Sequence, residues 1–120
     1  VGVVSAHATT YADSLAAGRV VEAAVSTRLA DGMAVRRADA DALAVLAQHL
    51  DHVVQVSDDE VAAAMRAIYA DTHNLAEGAG AAALAAAMQE RAALRGQCVG
   101  VSLTGANVDA SMFAEVLQQR

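Results

Sequence analysis

The chain has no lysine, and all eight of its basic residues are arginine. Chemistry that needs a lysine Schiff base therefore cannot be completed by these 120 residues alone. Proline and tryptophan are absent as well, and aromatic residues make up only 2% of the chain, so its interior must be built from aliphatic side chains and alanine. The single cysteine, Cys98, excludes an internal disulfide framework. Its apolar surroundings suit a reducing compartment, and the cytoplasm is the expected location. No stretch reaches about 18 consecutive apolar residues and none has the layout of a signal peptide, so no membrane partner is expected. A net charge of −6 without a basic cluster offers a polyanion nothing to hold, which argues against nucleic acid.

What remains is a strongly apolar chain, 56% hydrophobic, in which short β-type runs alternate with helical patterns. Val1–Ser5 (VGVVS) is predicted to be a buried strand, and its position at the very start suggests a piece of a longer polypeptide. Ala8–Ala17 follows as a helix, with Gly18 placed to end it. Asp31-Gly32 is a turn dipeptide. From Asp39 the recurrence of Leu43, Leu46, Ala47 and Leu50 predicts a helix with one face on the core, and His49 and His52 flank its end. Val53–Val56 is a second β-branched strand. Ser57 to Glu60 then spells a capping box, which makes Asp58, Asp59 and Glu60 an acidic helix start rather than a metal site. The helix should bury Val61, Met65, Ile68 and Tyr69 and run to about His73.

Gly78, Gly80 and Ala83 superficially fit a dinucleotide-binding glycine pattern, but that pattern should follow a strand, and here it follows helical and then polar residues. A helix start of very small residues is left, packing through Leu84, Met88 and Leu94 and ending at Gly96. Glu77 stands at its entrance. The helix dipole accounts for a carboxylate there, and the same carboxylate could equally point into a cleft. Cys98–Leu103 is predicted as the last strand, broken sharply at Thr104-Gly105-Ala106-Asn107 before a helix over Met112–Leu117. Open α/β sheets place ligands outside the carboxyl ends of their strands, so Thr104–Asn107 is the candidate site. The same residues would also make a plain strand-to-helix turn with Asn107 as the cap. Strands alternating with helices predict an α/β fold with a parallel sheet covered by helices. Three strands make a small sheet, again consistent with part of a larger domain.

Taken in order, STRLADGMAV, VVQVSDDEVAAAM, LAEGAGAAALAA and VGVSLTGANVD resemble the C-terminal part of the pyridoxal-phosphate-dependent threonine dehydratases, fold-type II enzymes that also include serine dehydratases and serine racemase. The resemblance covers essentially the whole chain, residues 1–120. It implies part of a tryptophan-synthase-β-like large domain, pyridoxal phosphate as cofactor, and threonine or serine as substrate. It also implies that the remainder of the polypeptide is needed and that a homo-oligomer forms.

By the same resemblance, Thr104 stands where the family has a hydroxyl residue on the cofactor's pyridine nitrogen. A neutral hydroxyl does not hold that nitrogen protonated, so the ring is a weaker electron sink and elimination competes well against transamination. Gly105, Asn107, Glu77 and Gly32 match further cofactor-side positions. Ala106 replaces a family glycine and Gly78 replaces a proline. Val4 and Thr10 stand where some members carry cation-binding acids, so no metal is expected. The family's Schiff-base lysine and phosphate-cradling glycines would precede Val1, and the regulatory domains of biosynthetic members are expected to be missing. A truncated, non-catalytic module that packs on a partner is the alternative.

Overall fold

The protein's structure, a computed structural model, describes residues 1–118. Strand β1 (Gly2–Ser5) is followed by α1 (Thr10–Ala17), an irregular stretch with a single 3-10 turn at Asp31–Met33, and α2 (Ala40–His49). Strand β2 (Val53–Val56), α3 (Asp58–Thr72), α4 (Gly78–Gln89) and α5 (Ala110–Gln118) complete the order. The α/β class with a parallel sheet is as expected: β1 pairs with β2 in parallel, with Gly2 opposite Val53 and Ser5 opposite Val56.

Local chemistry explains most boundaries. Gly18 ends α1 in the left-handed conformation (φ 64°), where a glycine pays no Cβ penalty. Asp39 caps α2 by accepting from the Ala42 amide at 2.8 Å. The expected capping box opens α3: the Glu60 amide donates to the Ser57 hydroxyl, and the Glu60 carboxylate accepts from the Ser57 amide at 2.8 Å. The Ser57 amide first, and then the Gln89 side-chain amide, hold the Glu60 carboxyl below its ordinary range.

The core lies where α3 and α4 pack on the sheet. Met65, Val61 and Ala64 of α3 are fully buried, as are Ala81 and Ala85 on the small-residue face of α4, and small side chains let the helix axes approach closely. Helix α5 closes one end with Phe113 and Val116, and Phe113 meets Tyr69 edge-on at 5.3 Å between ring centroids. The buried polar residues are all engaged: Thr10 donates to the Val35 carbonyl, Ser14 accepts from the Val21 amide, and Ser5 accepts from the His7 amide.

Several expectations are corrected. Cys98–Leu103 forms no strand, so the sheet has two strands and not three. The run is apolar, but among the described residues no strand lies beside it to satisfy its backbone, and Cys98 is exposed rather than buried. Helix α4 stops at Gln89, well before Gly96; a run of turns intervenes, and Gly96 ends that run at φ 78°. On α2 only Leu43 is buried, Leu46 and Leu50 are half-buried, and Ala47 is exposed because α2 packs against α1 at the margin of the core.

Candidate functional site

The site forms where the N-terminus of α4 meets the turn after Leu103. Glu77 takes the position before the first helical residue, Gly78, but its side chain does not cap α4. It reaches across to the turn instead, where its Oε2 accepts from the Asn107 amide at 2.9 Å. The Glu77 amide in turn donates to the Gly105 carbonyl at 3.0 Å. One residue thus clamps the turn from both sides, and the hydrogen bond to the carboxylate is the stronger of the two because its acceptor is charged. Helix α5 begins only at Ala110, so its cap position falls on Asp109 and not on Asn107, whose backbone amide is held by Glu77.

Two glycines make this closeness possible. A Cβ on Gly105 would lie 2.6 Å from the Glu77 carboxylate, and one on Gly80 would lie 2.4 Å from the Gly105 carbonyl oxygen. Gly32, in the 3-10 turn, comes to the same place from another part of the chain: its Cβ would meet the Ala79 Cβ at 3.0 Å and Glu77 Oε1 at 3.8 Å. The structure thus brings Gly32, Glu77, Gly105 and Asn107 together. Thr104 is next to Gly105 in the chain; it is exposed, and its hydroxyl makes no hydrogen bond among the described residues.

The loop carrying Gly32 is pinned by contacts that the sequence reading missed. The Asp58 carboxylate accepts from the Thr27 hydroxyl at 2.7 Å and from the Arg28 amide at 2.9 Å. Asp58 is thus both a first-turn acid of α3 and an anchor for the loop. Gly78 is needed for the same junction, because a Cβ there would sit 2.0 Å from the Leu29 carbonyl oxygen. Its only signal in the sequence is a glycine heading an alanine-rich helix. An open cleft of about 210 Å³ lies at the junction, with Asp31, Glu77, Gly78 and Asn107 among its lining.

The donor set suits a flat heterocycle. It offers the exposed Thr104 hydroxyl, a turn drawn close to α4 through glycine and a carboxylate already engaged by an amide, while the cleft beside it is lined by Arg28 as well as by Asp31, Glu77 and Asp109. Among the described residues, no group of three or more His, Cys, Asp or Glu is placed to hold a metal ion, and no helix is long and apolar enough to cross a membrane.

Comparison with known proteins gives a consistent picture. The family model described as pyridoxal-phosphate dependent enzyme matches residues 1–105. The L-threonine ammonia-lyase of Geobacter sulfurreducens is 36% identical over 120 residues, which cover 99% of this chain and 30% of that protein. The solved structure of the processed form of threonine deaminase isoform 2 from Solanum lycopersicum superposes with a TM-score of 0.88 at 30% identity, covering 96% of this chain and 32% of that one. Maize serine racemase superposes at 0.80 with 26% identity, covering 93% of this chain and 36% of that one. The chain thus spans about a third of the length of the relatives it matches.

Proposed function

Because the chain belongs to the family of pyridoxal-phosphate dependent enzymes, we propose that it is the C-terminal part of the catalytic domain of a threonine or serine ammonia-lyase. The reaction removes the α-proton and the β-hydroxyl of the amino acid, and hydrolysis of the resulting enamine gives a 2-oxo acid and ammonia. The observation that carries this reading is the turn clamped by Glu77, which presents an exposed Thr104 hydroxyl next to it.

When bound, pyridoxal phosphate supplies the electron sink that acidifies the α-proton. Thr104 would meet the cofactor's pyridine nitrogen as a neutral hydrogen-bond partner and so would not fix a proton there as an aspartate would. Glu77 orients the turn rather than exchanging protons, since its Oε2 is held by the Asn107 amide. Gly105 and Gly32 let the turn and the Asp31–Met33 loop pack closely against Glu77 and Ala79, and Asn107 holds the far side of the turn through its backbone. The lysine and the phosphate cradle belong to the rest of the polypeptide, and this segment alone is inactive. The full enzyme is cytoplasmic and homo-oligomeric on this reading.

The test is to supply the full-length polypeptide with pyridoxal phosphate and threonine or serine, and to measure ammonia together with 2-oxo acid. Release of both from either amino acid supports the reading. Cofactor binding without release from either refutes the lyase assignment, and failure to bind the cofactor refutes the site. The absence of lysine favours a second reading, a non-catalytic module. An intact mass of 12.2 kDa for the protein in its source would select that reading, and a mass well above it would select the enzyme.

A further inference from the structure

Between α1 and α2 the chain forms one antiparallel bridge, Glu22 with Arg37, and one 3-10 turn, so ladder hydrogen bonds fix little of it. The Ser26 amide reaches the His7 carbonyl at 2.8 Å. Just beyond, side chains take over. The Thr27 hydroxyl donates to Asp58 Oδ1 at 2.7 Å and accepts from the Ala30 amide at 3.1 Å, while the Arg28 amide donates to Asp58 Oδ2 at 2.9 Å. Both carboxylate oxygens and both roles of one hydroxyl are therefore in use. Ala30 is buried, so no water can replace the hydroxyl on its amide without cost.

The backbone that this hydroxyl holds is the backbone that meets α4. Leu29 and Ala30 lie so close to Gly78 that a Cβ there would stand 2.6 Å from the Leu29 carbonyl carbon and 3.1 Å from the Ala30 nitrogen. The Ala30 carbonyl accepts from the Met33 amide at 2.9 Å, within the turn that sets Gly32 against Ala79. Gly78 opens α4, and Glu77 just before it sends its carboxylate to the Asn107 amide. One continuous chain of contacts thus runs from the start of α3, through the loop, to the Thr104–Asn107 turn. Neither Thr27 nor Asp58 lines the cleft beside Glu77. Any effect they have on a ligand there acts through the backbone they hold.

We infer that Thr27, held by Asp58, is a positioning residue of the cofactor site. It fixes Leu29 and Ala30 against Gly78, and so sets Glu77 where its carboxylate can clamp the turn that carries Thr104. The inference rests on the preceding reading in taking that turn as the cofactor's seat. A hydroxyl is required at position 27 because the site needs a donor to the carboxylate and an acceptor for the Ala30 amide at one atom. Supporting groups of this kind decide how closely a site keeps its binding geometry.

The experiment uses the full-length protein as Thr27→Val, which keeps the shape and loses both hydrogen bonds, and as Thr27→Ser, which keeps both. Cofactor affinity is titrated through the absorbance of pyridoxal phosphate, well below the unfolding midpoint, and exchange of the Asn107 amide is followed without cofactor. Thr27→Val is expected to weaken cofactor binding about tenfold and to speed Asn107 exchange about tenfold, as the loss of one charge-assisted hydrogen bond would. Thr27→Ser should stay within about twofold of wild type in both. A purely structural role would lower the unfolding midpoint alone, so wild-type affinity or wild-type Asn107 exchange in Thr27→Val overturns the inference. Serine as impaired as valine also overturns it, because the methyl group and not the hydroxyl would then matter. Should Thr27→Val not fold, Asp58→Asn removes the charge and keeps the shape; at least about threefold weaker cofactor binding is expected, and unchanged affinity overturns the inference. If the wild-type protein binds no cofactor, the preceding reading fails by itself, and Asn107 exchange still judges the role of Thr27.

Discussion

Gly80→Ala tests the junction on which the site depends. Gly80 lies inside α4, where alanine is intrinsically preferred by about 1 kcal/mol. Propensity alone therefore predicts a gain. The structure predicts a loss, because the new Cβ would stand 2.4 Å from the Gly105 carbonyl oxygen and 3.1 Å from its nitrogen. Both are backbone atoms, and no flexible side chain can absorb the overlap. Relief requires moving the turn off α4, which breaks the bond from the Glu77 amide to Gly105, worth about 1 kcal/mol net, and the charge-assisted bond from Asn107 to Glu77, worth about 1.5–3 kcal/mol. Subtracting the propensity gain leaves a cost of about 2 kcal/mol for holding the turn in place. Since every 1.4 kcal/mol is tenfold, the full-length protein should bind pyridoxal phosphate about thirtyfold more weakly, as read by titrating the cofactor's absorbance. Gly100→Ala is the control: it meets nothing within 4 Å, and reduced freedom of the unfolded chain should leave it neutral or stabilised by up to about 1 kcal/mol. Cofactor affinity within twofold of wild type in Gly80→Ala would refute the close approach of Gly105 to α4.

Three further outcomes are expected. Thr104→Asp in the full-length enzyme should raise the basicity of the pyridine nitrogen and depress elimination by at least about tenfold, the size of one pKa unit of differential interaction; unchanged release of 2-oxo acid would remove Thr104 from the site. Met65→Ala empties a fully buried position between α3 and its neighbours and should cost about 2–5 kcal/mol in chemical denaturation, whereas a cost below about 1 kcal/mol would place the core elsewhere. His52 bridges Asp51 at 2.6 Å and Glu90 at 2.8 Å, and these two carboxylates, Asp51 first, raise its pKa above the ordinary histidine value. The bridge therefore contributes stability below the unfolded-state value of about 6.5 and loses it as pH rises through the higher folded-state value. The denaturation midpoint of wild type should exceed that of His52→Gln at pH 5–6 and converge on it in alkali, and a gap that widened with pH would contradict the bridge.

Much of the fold was legible because its signals are local. The Ser57 to Glu60 capping box, the left-handed Gly18 and the β-branched run at Val53–Val56 need only their chain neighbours to act, and of the expected buried stripe Val61, Met65 and Ile68 are buried while Tyr69 is 43% exposed. The candidate site was legible as a set of residues and not as an arrangement. Glu77 could be placed at a helix entrance, but nothing local tells that its carboxylate would hold the Asn107 amide, a partner from the far side of the turn. Asn107 likewise has a capping side chain whose helix turns out to start at Ala110, and Asp58 shows one role in sequence and two in space.

The sequence by itself determined where α1 ends, where α3 begins and that no lysine is present, because capping and composition are properties of the chain. Only the tertiary structure decided that Cys98–Leu103 stays unpaired, since a strand exists only when a neighbour satisfies its amides and carbonyls. It also decided which glycines matter. Gly78, Gly80 and Gly105 are required by backbone and side-chain atoms from distant parts of the chain, which close packing alone brings within reach.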